Sequence, residues 1–124
     1  MSTKILILLL VSVSLSSIAQ IALKTGVSQP HVTLAMDSGS HVNAAMAVFF
    51  NIWVIAGLAI YLFGAVLWLF VLVRVEVSMA YPFVGLGFIL TMILGKFIMG
   101  EAVSVTRLLG TILISVGVVF VSWR

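Results

Sequence analysis

The chain has 124 residues, of which 64% are hydrophobic and 7% charged, and its mean hydropathy is +1.40, which excludes a soluble globular domain. Its net charge of +3 comes from single basic residues scattered between apolar segments, a pattern that excludes a nucleic-acid-binding face. The chain contains no cysteine, and His31 and His41 stand alone in a polar stretch, so neither a disulfide framework nor a metal site is predicted.

Apolar segments fill most of the chain, and each is close to the ~20 residues that cross a ~30 Å hydrocarbon core as a helix. A backbone in lipid has no water to bond, so each span must be helical. The sequence therefore predicts an all-α integral membrane protein, a single domain over residues 1–124 with four transmembrane helices. The predicted spans are residues 5–23, 48–73, 80–99 and 108–123, with a polar loop over residues 25–47.

Span one carries a stripe of polar side chains. Ser12, Ser16 and Gln20 are spaced by four residues, as is Lys24 at the end of the span, so they lie along one face of a helix. Such a stripe finds partners only when it faces other helices or a polar ligand. The pattern leaves two interpretations open: interhelical packing alone, or a path that contacts a substrate.

The N-terminal segment also resembles a signal peptide. Lys4 precedes an apolar run, and Ser17-Ile18-Ala19 resembles a cleavage site, so that cleavage would leave three spans. The apolar stretch continues to Leu23, which makes a full span and favours retention of the segment.

The stretch between spans one and two is rich in Gly, Pro, Ser and Asn, which predicts a loop. Short apolar runs at Val32–Met36 and Ala44–Val48 give only a weak pattern for an interfacial helix. In span two, Trp53 and Trp68 lie near the two ends, and this spacing favours aromatic anchors at the two membrane surfaces.

Spans two and three are joined by the short turn Arg74-Val75-Glu76, which predicts adjacent antiparallel helices. Span three opens with Ala80-Tyr81-Pro82, where proline suits a first helical turn. Span four carries Gly110 and Gly117, whose spacing of seven keeps both near one face. Small residues on one face allow helices to associate in lipid, so this pair predicts a contact within the bundle or, preferably, a dimer.

The basic residues give no membrane orientation, because with four spans each side of the membrane carries three of them. One side holds Lys4, Arg74 and Arg124, and the other holds Lys24, Lys96 and Arg107. The second group lies around Glu101 at one lip of the predicted bundle. Its residues are candidates for binding an anionic headgroup such as a phosphate, and the alternative is that each is an interfacial anchor.

The order of the spans, the glycine pairs and the turn before span three resemble the small four-helix members of the drug/metabolite transporter superfamily, the EamA and small multidrug resistance-like proteins. Ala80-Tyr81, the Gly85/Gly87 pair and the Gly110/Gly117 spacing resemble the small multidrug resistance branch. In that branch, antiport depends on a glutamate at the position of Ser16. Proton-coupled export of drugs or metabolites, the second functional hypothesis, therefore lacks a coupling carboxylate in span one.

A second branch resembles the chain more closely: the flippase subunits for undecaprenyl-phosphate-aminoarabinose. The segments that resemble it are Ala19–Lys24, Leu67–Leu72, Val75–Val77, Met79–Pro82 and Glu101–Ser104. This resemblance implies a multi-pass protein of the bacterial inner membrane, with a small multidrug resistance-like bundle. It also implies movement of a polyprenyl-phosphate-linked sugar between leaflets, by a homodimer or together with a related four-helix subunit.

The polar residues are consistent with that implied function. Lys24, Lys96 and Arg107, with Glu101, are the predicted headgroup site, and a path of hydroxyl and amide groups would carry the sugar: Ser12, Ser16, Gln20 and Tyr81. No nucleophile–base pair, metal cluster or phosphate-binding glycine loop predicts an enzyme or a cofactor. A third hypothesis is a non-transporting subunit that supports a membrane glycosyltransferase.

Overall fold

The structure is a computed structural model, and it describes residues 2–123. Arg124, which the charge comparison included, lies outside the described residues. All of the regular secondary structure in the described range is helical, in this order: α1 (Thr3–Val27), α2 (Pro30–Asp37), α3 (His41–Phe49), α4 (Ile52–Leu72), α5 (Val77–Ala80), a 3₁₀ turn (Tyr81–Phe83), α6 (Val84–Ile98) and α7 (Val105–Ser122).

The prediction of an all-α protein with four transmembrane helices is confirmed. Within residues 2–123, four helical segments are long and apolar enough to cross a membrane: Thr3–Val27, Ile52–Leu72, Val77–Ile98 and Val105–Ser122. The third of these comprises α5, the 3₁₀ turn and α6. The chain is therefore a multi-pass membrane protein.

The prediction that residues 25–47 form a loop is wrong in part, because this stretch contains α2 and most of α3. The residues that indicated a loop are helix-terminal residues here. Pro30 occupies the first turn of α2, and the Ser40 hydroxyl caps α3 by accepting from the Asn43 N–H at 3.3 Å. Gly39 links the two helices with φ +78°, a conformation that glycine adopts without strain.

Span two begins later than predicted, at Ile52 rather than Val48, because a side chain caps α4. The Asn51 Oδ1 accepts from the N–H groups of Trp53 (3.0 Å) and Val54 (3.3 Å), and Val48 belongs to α3. Asn51 is buried, and its Nδ2 donates to the Gln29 Oε1 at 2.8 Å. This one residue thereby holds the start of α4 against the segment that enters α2.

Spans three and four, in contrast to span two, begin earlier than predicted. The third span starts at Val77, so Pro82 lies inside it rather than in its first turn, and the helix tightens there into the 3₁₀ turn. The fourth span starts at Val105, because the Ser104 hydroxyl accepts from the Arg107 N–H at 3.1 Å.

α1 is the central helix of the bundle. It packs along α4, which is antiparallel to it, and along α6, which is parallel to it. α7 packs against α6 and the 3₁₀ turn, so it forms the outer edge of the bundle. A core of buried apolar side chains joins the spans near the end where α1 begins: Leu9, Val13, Val71, Ala80, Phe83 and Val118.

Glycines set the closeness of α1 and α4. A methyl group built on Gly57 would lie 2.9 Å from the Leu23 Cγ and 3.1 Å from the Ala19 carbonyl oxygen. One built on Gly64 would lie 3.3 Å from the Ser12 carbonyl oxygen. The two backbones therefore approach each other as small-residue helix pairs do in membranes.

Candidate functional site

A cleft of about 480 Å³ lies between α4 and α6, with α1 as its floor, and we call it the central cleft. All four residues that the sequence predicted as a substrate path line it: Ser12, Ser16, Gln20 and Tyr81. The remaining lining is largely aromatic or small, and within residues 2–123 it contains no charged side chain: Val13, Ser17, Tyr61, Gly64, Ala65, Trp68, Val84, Gly87, Phe88 and Thr91.

The serines of α1 divide into two groups. The buried Ser12 hydroxyl donates to the Gly64 carbonyl oxygen of α4 at 2.7 Å. The buried Ser17 hydroxyl, which the sequence analysis did not select, donates to the Gly87 carbonyl oxygen of α6 at 3.0 Å. Both hydroxyls therefore tie α1 to a neighbouring helix, which is the packing role that the polar stripe left open.

Ser16 and Gln20 differ from these serines in exposure and bonding. Ser16 is half-buried and Gln20 is exposed, and both face the central cleft. Within the described part of the chain, neither side chain forms a hydrogen bond with another protein group. Tyr81, on the opposite wall, is 64% exposed. These three residues therefore present hydrogen-bonding groups to a molecule in the cleft.

Several residues of the cleft wall were missed by the sequence analysis. Tyr61, Gly64 and Trp68 recur at three and four residues along α4, so they share one face of that helix, and Phe88 and Thr91 do the same on α6. Trp68 was predicted to be an interfacial anchor, whereas here its side chain forms part of the cleft wall. The helical spacing of these residues was the available signal.

The three predicted phosphate-binding bases lie at the same membrane side. Lys24 is in the last turn of α1, Lys96 is in the last turn of α6, and Arg107 is in the first turns of α7. All three are exposed. The Lys96 Nζ lies 5.6 Å from the centroid of the Phe97 ring, a distance suited to a cation–π contact.

A second, smaller pocket of about 290 Å³ lies between α6 and α7 on this side, and we call it the lip pocket. Glu101 and Arg107 line it, whereas Lys24 and Lys96 do not. The structure thus brings together two of the four predicted headgroup residues. The lip pocket shares Phe88 and Thr91 with the central cleft, so the two spaces adjoin on one face of α6.

Gly110 and Gly117 lie on open surface of α7. Apart from its chain neighbours and the adjacent backbone of its own helix, a methyl group built on either glycine would meet no atom of the described residues within 4 Å. The intrabundle contact that the sequence left open is therefore wrong for this pair, and the alternative, a contact with another protein chain, stays a prediction.

A metal centre finds no support in the part of the chain that the structure describes. Residues 2–123 contain no group of three or more His, Cys, Asp or Glu side chains that could hold a metal ion.

Curated relatives of this chain share one description, probable 4-amino-4-deoxy-L-arabinose-phosphoundecaprenol flippase subunit ArnE. The chain is similar to the protein of Proteus mirabilis, with 32% identity over 79% of this chain and 84% of the relative. It is similar to that of an Enterobacter species, with 35% identity over 69% of this chain and 78% of the relative.

A shorter match joins the chain to the protein of Pseudomonas syringae pv. syringae, with 44% identity over 44% of this chain and 51% of the relative. No family model matches the chain, and no solved structure matches it.

Proposed function

Since this chain belongs to the family of the 4-amino-4-deoxy-L-arabinose-phosphoundecaprenol flippase subunits ArnE, we propose that it moves an undecaprenyl-phosphate-linked amino sugar across the bacterial inner membrane. The observation that carries this proposal is the similarity to the Proteus mirabilis protein over 84% of that relative's length. The resemblance to these flippase subunits inferred from the sequence is thus confirmed. The proposed activity is transport and involves no catalysed bond cleavage.

The central cleft supports the proposal by its shape and lining. A lipid-linked sugar needs a polar path for its headgroup, while its prenyl tail remains in the hydrocarbon core. The cleft offers Ser16, Gln20 and Tyr81 for hydrogen bonds with such a headgroup. Aromatic side chains in the wall suit the apolar faces of a sugar ring.

We assign neutralisation of the phosphate to the basic residues at the lip. Lys24, Lys96 and Arg107 are exposed on one membrane side, and cations at this depth attract anionic headgroups. Arg107 also lines the lip pocket, which adjoins the central cleft at Phe88 and Thr91.

We further propose that the active unit contains a second four-helix chain, either another copy or a related subunit. Within the described residues, α1, α4, the 3₁₀ turn and α6 line the central cleft without α7, and the face of α7 that carries both glycines is uncovered. A partner helix against Gly110 and Gly117 would cover this face by close backbone packing.

The two other hypotheses receive less support. Proton-coupled export needs a titratable group along the path, and no carboxylate lines the central cleft within residues 2–123. A role as a glycosyltransferase subunit has no feature of the described chain in its favour. It predicts stable co-purification with an enzyme and no transport by this chain.

The test is a flipping assay in proteoliposomes, in which a membrane-impermeant amine reagent counts the aminoarabinose lipid exposed in the outer leaflet. We expect faster exchange between leaflets with this protein than in protein-free vesicles. Lys24→Gln combined with Lys96→Gln should slow exchange, whereas Lys4→Gln, at the opposite end of α1, should not. No exchange by this chain, alone or with a related four-helix subunit, would overturn the proposal.

A further inference from the structure

The lip pocket contains one acidic and one basic side chain in a space of about 290 Å³. Its other lining groups are apolar or carry hydroxyls: Phe88, Thr91, Met92, Val103, Thr111 and Ile114. Glu101 is one of only three acidic residues in the whole chain, the others being Asp37 and Glu76. A carboxylate beside a proposed phosphate-binding arginine is unfavourable for a purely anionic ligand, so its presence needs a chemical explanation.

The position of Glu101 is fixed by the end of α6. Gly100 reverses the chain with φ +71°, and the Glu101 N–H donates to the Gly95 carbonyl oxygen at 3.0 Å. The Glu101 carboxylate lies directly over Gly95, where an added methyl group would be 3.0 Å from its Oε2. The missing side chain at Gly95 therefore makes the space that this carboxylate occupies.

Arg107 is positioned separately from Glu101. Among the described residues, its Nη1 donates to the Ala102 carbonyl oxygen at 3.1 Å rather than to the Glu101 carboxylate. The two opposite charges thus share one pocket without neutralising each other through a direct hydrogen bond. Each retains acceptor or donor capacity for a ligand.

A ligand that carries both a cation and an anion would satisfy this pair. The compound named for the relatives contains an amino group on its sugar and a phosphate that joins the sugar to the lipid. A primary amine is cationic at neutral pH and forms charge-assisted hydrogen bonds with a carboxylate, and a guanidinium does the same with a phosphate.

We propose that the lip pocket is a selectivity site for a zwitterionic aminosugar phosphate, with Glu101 binding the sugar ammonium and Arg107 binding the phosphate. This inference rests on the proposed flippase function and adds to it the residue that distinguishes amino sugars from neutral ones. Phe88 and Thr91 line both this site and the central cleft, so a headgroup selected at the lip lies next to the proposed path.

The test measures binding by the full-length protein in lipid nanodiscs with native mass spectrometry. The probes are undecaprenyl-phosphate aminoarabinose, its N-acetylated form, in which the amine is neutral, and undecaprenyl phosphate. We expect the amine form to bind about tenfold more tightly than the N-acetylated form, as one charge-assisted hydrogen bond provides. Glu101→Gln should reduce this ratio to about one and should not weaken undecaprenyl phosphate binding, because it removes a charge that repels the phosphate.

Matched variants separate charge from folding. Glu76→Gln removes a carboxylate at the opposite membrane side and should keep the tenfold preference. Arg107→Gln should weaken binding of all three phosphate lipids to a similar extent. Gly95→Ala keeps every charge but pushes against the Glu101 carboxylate, so it should lower the preference for the amine form without weakening binding of undecaprenyl phosphate.

The outcomes distinguish the two proposals. Equal binding of the amine and N-acetylated lipids, or a preference that survives in Glu101→Gln, would overturn the selectivity site and leave the flippase proposal standing. Failure of all three polyprenyl lipids to bind, to this chain alone and to this chain with a related four-helix subunit, would overturn both.

Discussion

Two helices of this protein carry the same sequence pattern in opposite surroundings. α4 has Gly57 and Gly64, and α7 has Gly110 and Gly117, each pair seven residues apart in an apolar helix. Both glycines of α4 face α1 so closely that a methyl group would meet its backbone oxygens at 3.1 and 3.3 Å. Both glycines of α7 face open space. Glycine spacing therefore predicts a smooth helix face, but it does not tell whether another helix of the same chain packs on that face.

The difference arises because α4 packs against α1 with the face that carries its glycines, whereas α7 packs against α6 with another face. α4 meets a row of small residues on α1, where Ala19 and Ser12 allow the backbones to approach and where the Ser12 hydroxyl bonds across the interface. α7 uses a different face, where the buried Thr111 hydroxyl lies 3.6 Å from the Met92 sulfur of α6 and the buried Val118 belongs to the same core as Phe83 of the 3₁₀ turn. Its glycines lie about 100° away around the helix, since each precedes one of these residues by one position.

The sharpest way to test this comparison is to add the same side chain to both helices. Gly57→Leu must displace Leu23 and the Ala19 carbonyl, and overpacking of this kind should lower the free energy of unfolding by about 3 kcal/mol. Gly117→Leu should change it by less than about 0.5 kcal/mol in the monomer. Reversible unfolding in mixed detergent micelles measures both. Equal losses would show that α7 is packed within the monomer.

The second test compares the caps of the two helices. Asn51→Ala removes a buried cap that satisfies the Trp53 and Val54 N–H groups and also bonds Gln29, so it should cost about 2 kcal/mol, the upper end for a cap. Ser104→Ala removes an exposed cap of α7 with one bond and should cost about 0.5–1 kcal/mol. Unfolding titrations of the two variants give the comparison, and a larger loss in Ser104→Ala would contradict it.

A third test concerns the partner that the α7 face predicts. If a second chain packs on Gly110 and Gly117, Gly117→Leu should weaken association at least about tenfold, or about 1.4 kcal/mol, while the monomer stays folded. Energy transfer between labelled copies in vesicles, measured against dilution in lipid, provides the affinity. The control is Leu113→Ala, on the same face of α7, which should weaken association less. Gly39→Leu does not serve as a control, because the positive φ of Gly39 would strain a leucine there. Unchanged association in Gly117→Leu would exclude this face.

The sequence predicted the number and type of the spans because hydropathy and span length are local properties. It also placed Ser12, Ser16 and Gln20 on the face of α1 that lines the central cleft, since a spacing of four fixes a helix face. It could not predict that Asn51 caps α4, because a single polar residue beside an apolar run looks the same in sequence whether it lies in a loop or in a buried cap. Nor could it identify Ser17 as a residue that ties α1 to α6, because the carbonyl group that accepts its hydrogen bond, at Gly87, is 70 residues away in the sequence.

The smallest expected effect divides the serine stripe itself. Ser12→Ala removes the 2.7 Å bond to the Gly64 carbonyl oxygen and should cost about 0.6 kcal/mol of stability, an average value for such bonds between membrane helices. Ser16→Ala removes a cleft-facing hydroxyl that bonds no other group of the described chain, so its unfolding free energy should match that of the unmodified protein. In the flipping assay the order should reverse, with Ser16→Ala slower than Ser12→Ala, because only Ser16 offers its hydroxyl to the sugar. If the flipping rate of each variant fell only in proportion to its loss of unfolding free energy, the stripe would serve packing alone. The headgroup path would then lie elsewhere in the cleft.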